Sequence, residues 1–230
     1  MTPFLLITAG GTSEPIDPVR ILTNRATGNT GVGIAYDAHK RGLKVELLLA
    51  AGLFPNTIFP FPTYRFETVT ALGNLMESTL TKGKPGGVIH SAAVSDYVLD
   101  YVINGDVKGS GFPNSGHHKI PGHHNSLTIV LKPAQRLLAK IRTDWGFQGY
   151  LVSFKLETDA SQLLVKADES LCQNGCNLVV ANTWEDHQNW LWLVFNKTQN
   201  LDCQSPLQIQ RTDLSKRILD DFQSHWSRTQ

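Results

Sequence analysis

The sequence NSGHHKIPGHHNS, residues 114–126, places two histidine pairs around one lysine. His117, His118, His123 and His124 are spaced so that they could chelate a metal ion. A structural zinc site usually adds cysteine or carboxylate ligands, and none lies close in the sequence, so we predict no metal site and interpret the histidines as solvated. Lys119 differs, because a lysine on a glycine-flanked loop can close over an anionic ligand and withdraw after turnover. We therefore expect Lys119 to be the residue of this stretch that does chemistry.

Small or polar residues follow several buried apolar runs of the sequence. Ligands bind outside the carboxyl ends of the strands in open α/β sheets, where small residues let the backbone approach a ligand and free N–H groups favour phosphate. Each occurrence alone is explained by an ordinary turn. Together they predict a ligand site that favours phosphate at one sheet edge, formed by Gly10, Gly11 and Thr12, residues 91–96, Phe154 with Lys155 and Glu157, and Asn182.

Short apolar runs alternate with segments of helical period along most of the chain. This alternation is typical of a parallel sheet with helices on both faces. We predict an α/β fold with a doubly wound, mostly parallel, Rossmann-like three-layer sheet, built as one domain over 1–230. Residues 98–125 are predicted to be a long, irregular and mobile flap. The runs WLWLVFN and LQIQR predict a C-terminal hairpin over 186–212, a possible dimerisation element, and a closing helix follows from about 213 to 226.

The composition excludes several functional classes. The chain has 230 residues, 41% of them hydrophobic, and a formal net charge of +1, which gives no electrostatic reason to expect a nucleic-acid or membrane partner. No apolar run approaches the roughly 20 residues that span a bilayer. The first residues, MTPFLLITAGG, have no basic leader, and the cysteines are odd in number, at Cys172, Cys176 and Cys203. We expect a reduced, cytoplasmic protein.

The run TGNTGVG, with Tyr36 and Lys40 in a Y-x-x-x-K pattern, raises the alternative of a dehydrogenase. A dinucleotide fingerprint follows its first strand at once, whereas these glycines come well after it. The second strand ends LLLAAG and supplies no acidic residue to hold a ribose hydroxyl. Because Tyr36 and Lys40 lie on the helix that the glycines open, we interpret them as ordinary helix residues.

Residues 7–31, ITAGGTSEPIDPVRILTNRATGNTG, closely resemble the opening motif of phosphopantothenoylcysteine synthetases. AAVSDY, HKI, SFKLETD and VVAN follow in the order of that family and at compatible spacing. The resemblance covers nearly the whole chain, and it implies a stand-alone synthetase because no flavin-type decarboxylase half is present.

The resemblance implies roles for individual residues. Arg20 and Asn24 correspond to a substrate-handling pair, and Asn182 to the asparagine at a strand end. Asp96 would contact the nucleotide beside the backbone of Ala92 and Ala93. Lys119 corresponds to the flap lysine that reaches the triphosphate, and Phe154 to the aromatic residue that lines the base and ribose site. Asn24 and Lys119 are thus the expected catalytic residues.

One departure concerns the helix before VVAN, where the bacterial pattern has two lysines. Ser170 and Asn174 stand at those places, and Lys166 lies one turn earlier. Phosphate neutralisation by this helix is therefore in question.

The resemblance further implies a reaction. The carboxylate of 4'-phosphopantothenate attacks the α-phosphate of a nucleoside triphosphate, and the amine of L-cysteine then displaces the monophosphate. Such chemistry depends on positioning and charge stabilisation, with Mg²⁺ carried by the nucleotide and no tightly bound cofactor. We expect CTP in preference to ATP, although SFKLETD resembles eukaryotic, ATP-associated members. The alternative is a catalytically silent, nucleotide-binding regulatory subunit, which would be expected to lose Asn24 or Lys119.

Family members work as dimers with the site near the interface, so we expect a homodimer. The run WLWLVFN carries Trp190, Trp192 and Phe195 close together, more aromatic surface than one face of a small edge strand needs. Packing of these side chains in the core is the alternative.

Overall fold

The computed structural model describes residues 4–104, 119–122, 126–186, 188–196 and 205–228. In chain order the elements are β1 (Phe4–Ala9), β2 (Ser13–Pro15), β3 (Ile21–Thr23), α1 (Asn29–Lys40), β4 (Lys44–Ala50), β5 (Thr63–Phe66), α2 (Val69–Ser78), β6 (Gly87–His90), β7 (Tyr97–Asn104), β8 (Leu127–Pro133), α3 (Leu137–Thr143), β9 (Tyr150–Glu157), α4 (Ala160–Gln173), β10 (Leu178–Thr183), β11 (Trp190–Phe195), β12 (Leu207–Gln210) and α5 (Leu214–Arg228). A π-helical turn over Thr79–Gly83 extends α2, and a 3-10 turn over Arg211–Asp213 precedes α5.

The main sheet has the strand order β12-β11-β10-β9-β6-β1-β4-β5. The six strands from β10 to β5 are parallel, and β11 and β12 complete the β10 edge as an antiparallel pair. The apolar residues of α1 and α5 cover one face of the sheet, and those of α2, α3 and α4 cover the other. This three-layer, mostly parallel architecture and the C-terminal hairpin confirm the predicted fold class.

Two glycines allow the close approaches that shape the edge near β1. Gly10 ends the strand with a φ of +91°, and a Cβ there would lie 2.5 Å from the Cβ of Ala50. Gly31 lets α1 pack directly on β1, because a Cβ would lie 2.7 Å from the Cβ of Ala9. Within TGNTGVG, Gly31 therefore serves helix packing, whereas Gly28 is the N-cap of α1 with a φ of +75° and Gly33 has no close neighbour among the described residues. Tyr36 packs against Phe61, which supports the interpretation of the Y-x-x-x-K pattern as ordinary helix residues.

The start of the predicted irregular segment is a strand, which corrects the expectation for residues 98–104. Strand β7 pairs with β8 antiparallel in a separate two-stranded sheet, so the run LTIVLK belongs to this ladder and not to the main sheet. The sequence prediction relied on helices that alternate with parallel strands. It could not reveal an antiparallel pair such as β7 and β8, which follow each other without a helix between them. Residues 105–118 and 123–125, including the four histidines, lie outside the described residues, and the mobility of the flap stays a prediction.

A small apolar cluster joins this outer sheet to the segment after β1. Ile16, Val102 and Ile120 are buried together, with Leu22 and Leu99 packed against them. The cluster therefore brings the β2–β3 hairpin, the strand β7 and a flap residue into contact. No helix within the described residues is long and apolar enough to cross a membrane.

Candidate functional site

The loop after β1 and the loop after β6 are joined by backbone hydrogen bonds at the carboxyl edge of the sheet. Thr12 N donates to Ala93 O at 3.2 Å, and Ala93 N donates to Gly10 O at 2.8 Å. The Thr12 hydroxyl accepts the N–H of Ser95 at 2.9 Å and is itself buried. Because β1 and β6 are neighbours in the sheet, the predicted Gly10–Thr12 loop and the Ala92–Ala93 segment form one surface.

Asn24 lies on this surface. Its Nδ2 donates to Ala93 O at 3.4 Å and to Val94 O at 3.3 Å, both long hydrogen bonds. The N-cap of α1 is Gly28, which makes no side-chain cap, so Asn24 does not cap that helix. Oδ1 makes no hydrogen bond with the described residues, and the side chain is exposed. Asn24 can therefore present an amide to a ligand at the junction of the two loops.

Arg20 is held by a buried aspartate just before it. Its Nη1 lies 2.7 Å from Oδ2 of Asp17 and donates to Ile120 O at 3.3 Å. Its side chain is 39% exposed, whereas that of Asp17 has no exposed surface. The guanidinium is thus fixed at one side by Asp17 and open to solvent at the other. It also connects the segment after β1 to the flap.

A polar cleft of about 840 Å³ opens at the same edge of the sheet, between α3 and α4. Burial of the α3 and α4 residues Leu137 and Leu171 fixes its walls. Among the residues that line it are Ala92, Asp96, Phe154, Lys155, Lys166 and Ser170. Asp96 is exposed, while Phe154 is half-buried and also packs against the core on the α1 side. Three predicted nucleotide-binding residues therefore line a single cleft.

Two lysines at this cleft share one glutamate. Glu157 Oε1 lies 2.9 Å from Lys155 Nζ, and Glu157 Oε2 lies 2.8 Å from Lys166 Nζ. The hydrogen bond from Lys166, and then that from Lys155, lowers the pKa of Glu157, while the bond to Glu157 raises the pKa of Lys166. Glu157 and Lys166 therefore hold each other in the charged form, and the formal charges of the two lysines and the glutamate sum to +1.

The surroundings of Ser170 and Asn174, the two positions where the bacterial pattern has lysines, are visible in the structure. Asn174 Nδ2 donates to Ser170 O at 2.9 Å, so these two residues bond to each other on α4, and both line the cleft. Positive charge comes instead from Lys166 on the same helix and from Lys155 on β9. Because β9 and α4 are consecutive elements, the lysine on the strand and the lysine on the helix both reach Glu157.

The remaining predicted residues are not brought into the cleft. Lys119 is exposed and Asn182 is half-buried, and the side chain of neither makes a hydrogen bond or ion pair with the described residues. Lys119 is nevertheless adjacent to Ile120, which is buried and bonded to Asp17. No three histidine, cysteine or acidic side chains in the described part of the chain come together as a metal site.

The sequence reasoning missed two residues of the cleft, Arg136 and His90. Arg136 is exposed at the start of α3. His90 is the last residue of β6 and is 6% exposed. A signal for His90 was present in the sequence, since a histidine ends the otherwise apolar run GVIH.

The fold and the site together define a three-layer α/β protein with a polar ligand cleft at the carboxyl edge of its parallel strands. Residues 3–224 match the family described as the DNA/pantothenate metabolism flavoprotein C-terminal domain. The chain belongs to this family, and the resemblance inferred from the motifs is confirmed.

Two relatives show how the match extends. The chain is 30% identical to the human phosphopantothenate–cysteine ligase over 269 residues, covering 96% of this chain and 85% of that protein. It is 33% identical over 181 residues to the coenzyme A biosynthesis bifunctional protein CoaBC of Thermococcus kodakarensis. That alignment covers 78% of this chain but only 41% of the bifunctional protein, so the chain spans about two-fifths of such relatives.

The fold is also found in a solved structure. The DNA/pantothenate metabolism flavoprotein from Streptococcus pneumoniae superposes with a TM-score of 0.81 at 24% identity, covering 98% of this chain and all of that one. This agreement supports the sheet order and the helix layers described above.

Proposed function

We propose that this protein is a phosphopantothenate–cysteine ligase, which joins 4'-phosphopantothenate to L-cysteine through an acyl-nucleotide in coenzyme A biosynthesis. The observation that carries the proposal is the junction of Asn24 with the Gly10–Thr12 and Ala92–Val94 loops, beside a cleft lined by Asp96, Phe154 and two lysines. The human ligase, of which the chain covers 85%, supports the assignment of the reaction.

In the first half-reaction, a carboxylate oxygen of 4'-phosphopantothenate attacks the α-phosphorus, and the bond to the β-phosphate breaks to release pyrophosphate. Lys119 on the flap and the pair Lys155 and Lys166 neutralise charge on the phosphates, which is the main catalytic contribution in phosphoryl and nucleotidyl transfer. Magnesium enters as part of the nucleotide substrate. The role of these residues is to position the reactants and to stabilise charge.

In the second half-reaction, the amine nitrogen of cysteine attacks the acyl carbon, the nucleoside monophosphate leaves, and the amine loses a proton. The amide of Asn24 is a neutral group at the loop junction. It can donate to the acyl oxygen if the ligand replaces its two long bonds to Ala93 O and Val94 O. Arg20 and Asn182 are proposed to bind the phosphopantothenate.

The test is pyrophosphate release with phosphopantothenate in the presence of Mg²⁺, with CTP and ATP compared side by side. We expect release without cysteine and product only with cysteine, with CTP the better substrate. Nucleotide binding without pyrophosphate release would instead support a catalytically silent regulatory subunit and contradict the proposal.

We also propose that the protein is a cytoplasmic homodimer. Cys172 and Cys176 are free thiols, which a reducing compartment preserves. The aromatic run of β11 contributes less surface than expected, because Phe195 is in the core, Trp192 is half-buried, and Trp190 is 44% exposed. A further apolar surface is the face of β8 formed by Leu127, Ile129 and Leu131, which is partly exposed.

Light scattering at micromolar concentration tests the assembly. We expect twice the monomer mass for the wild type. Ile129→Glu should give monomers if β8 forms the interface, and Trp190→Glu should do so if the hairpin forms it. A monomeric wild type would contradict the proposal.

A further inference from the structure

His90 has an unusual position for an ionisable side chain. It ends the buried strand β6, and it lines the cleft between α3 and α4 although only 6% of its surface is exposed. Its neighbour across the sheet on β9, Ser153, is 1% exposed and also lines the cleft. These two polar residues therefore form the floor of the cleft, beneath the exposed and half-exposed charges at its mouth.

The hydrogen bonds of Thr8 assign the tautomer of His90. The Thr8 hydroxyl accepts the N–H of Ala92 at 3.1 Å and lies 2.9 Å from Nδ1 of His90. Thr8 Oγ1 has no other partner among the described residues, so its single hydrogen is satisfied only if it points at Nδ1. Nδ1 is then the acceptor, and the hydrogen of the neutral ring is on Nε2.

The Nε2–H group has no protein acceptor among the described residues. Ser215 Oγ is the only described buried side-chain nitrogen or oxygen atom without a partner, so Nε2 of His90 is open to the cleft, where water or a ligand can accept its hydrogen bond. Burial lowers the pKa of His90 to about 4, so the ring is uncharged at neutral pH. His90 therefore offers the cleft one oriented, neutral donor.

The charged side chains at the mouth of the cleft indicate which part of a nucleotide reaches the floor and which part stays at the mouth. Lys155 is two residues beyond Ser153 on β9, which places it about 7 Å further along the strand on the same face. Lys155 and Lys166 can pair with phosphates there without being buried, because their side chains are 35% and 42% exposed. An anion at the floor would meet only neutral groups, whereas the acceptor atoms of a heterocycle match a neutral N–H.

We propose that His90 is a specificity-determining residue, whose Nε2–H donates to a ring nitrogen or carbonyl acceptor of the nucleobase at the floor of the cleft. The phosphates then extend to Lys155 and Lys166 at the mouth. This inference rests on the proposed function in one respect, the binding of a nucleoside triphosphate.

Calorimetric titration with nucleotides in which one acceptor of the base is removed or weakened tests the inference directly. The ligands are CTP with its 3-deaza and 2-thio analogues, and ATP with its 1-deaza, 3-deaza and 7-deaza analogues. For the preferred nucleotide, the wild type should bind one analogue roughly tenfold more weakly than the parent. His90→Leu should bind the parent nucleotide as weakly as the wild type binds that analogue. In this variant the affinities for the parent and for the analogue should therefore be nearly equal. His90→Gln, which keeps an N–H donor, should retain part of the discrimination.

Two controls separate base recognition from a structural role. His39→Leu makes the same substitution at an exposed histidine of α1, which does not line this cleft, and should leave the discrimination unchanged. Inorganic tripolyphosphate should bind His90→Leu and the wild type equally. If His90→Leu lost affinity equally for the parent nucleotide, the analogue and tripolyphosphate, the inference would be overturned. It would also be overturned if the wild type bound every analogue as tightly as the parent nucleotide. A wild type that binds no nucleotide would overturn the proposed function as well, whereas ligation with unchanged discrimination in His90→Leu would overturn only this inference.

Discussion

The buried carboxylate of Asp17 accepts a hydrogen bond from the backbone N–H of Ile120 at 3.1 Å. This contact joins the segment after β1 to the flap, and Ile120 is the residue directly after Lys119. Asp17 also accepts the N–H groups of Val19 and Arg20, each at 2.8 Å. Burial by itself raises the pKa of Asp17, but the hydrogen bonds from Ile120, Val19 and Arg20, and then the charge of Arg20, outweigh it and lower the pKa overall.

We predict that Asp17→Asn slows the first half-reaction. The amide of asparagine would place an N–H group against a backbone N–H, so the hydrogen bond that holds the flap at Ile120 would be lost. The decrease should resemble that of Lys119→Ala, and the double variant should be no slower than the slower single one. Asp37→Asn, which alters an exposed pair with Lys40, is the matched control and should keep the wild-type rate. Pyrophosphate release measures the effect, and full additivity of the two substitutions would contradict it.

Lys119→Ala should slow pyrophosphate release by roughly 10²-fold or more, the scale for losing one preorganised charge contact. Its melting temperature should remain near that of the wild type, since the residue is exposed. Replacing His117, His118, His123 and His124 together by serine should leave turnover within a few-fold. A histidine variant that is inactive and rescued by zinc would reverse our interpretation of this stretch.

Asn24→Asp should fold and bind CTP but fail to form the amide bond. The new carboxylate faces the carbonyl oxygens of Ala93 and Val94 and would repel the developing charge on the acyl oxygen. Because Gly28 and not Asn24 caps α1, little helix stability should be lost, less than the roughly 1 kcal/mol of a missing cap. Quenched-flow analysis of acyl-nucleotide and product tests this, and turnover at the wild-type rate would move the acyl site toward Arg20.

Lys166→Met should weaken the binding of nucleoside triphosphate by roughly two- to fivefold, the range of an exposed charge contact, and leave nucleoside binding unchanged. Glu157→Gln should act in the opposite direction, since it removes the negative charge shared by Lys155 and Lys166. Both effects should diminish in high salt. Equal effects on nucleoside and triphosphate would show that the trio only supports the fold.

The stability of the folded chain should fall as the pH decreases from about 6.5 to about 4 because of His90. Its pKa is lowered from 6.5 to about 4 in the folded state, so the unfolded state binds the proton first and folding becomes less favourable as the pH falls. The full effect is about 3 kcal/mol, and it is absent above pH 7. Urea unfolding of the wild type and His90→Gln at several pH values measures it. Parallel pH curves for the two proteins would contradict the assignment.

The sequence by itself determined the layer architecture and the edge of the sheet at which the site would lie. Apolar runs such as FLLITA and YLVSF alternate with helix-period segments, and parallel strands must end at a common edge, so Gly10, Ala92 and Phe154 could be placed there from their positions alone. The contiguous motif around Arg20 and Asn24 likewise made the family recognisable. These inferences succeed because they depend on residues that are close together in the chain.

Only the tertiary structure decided the contacts between residues far apart in sequence. The period of a strand indicates which face a side chain occupies, but not which side chain of another strand it meets. It could therefore not reveal that β7 pairs with β8, that Thr8 orients His90, or that Asp17 holds the backbone beside Lys119. Nor could it show that Lys155 from β9 and Lys166 from α4 converge on Glu157, since that depends on how the helix packs against the strand.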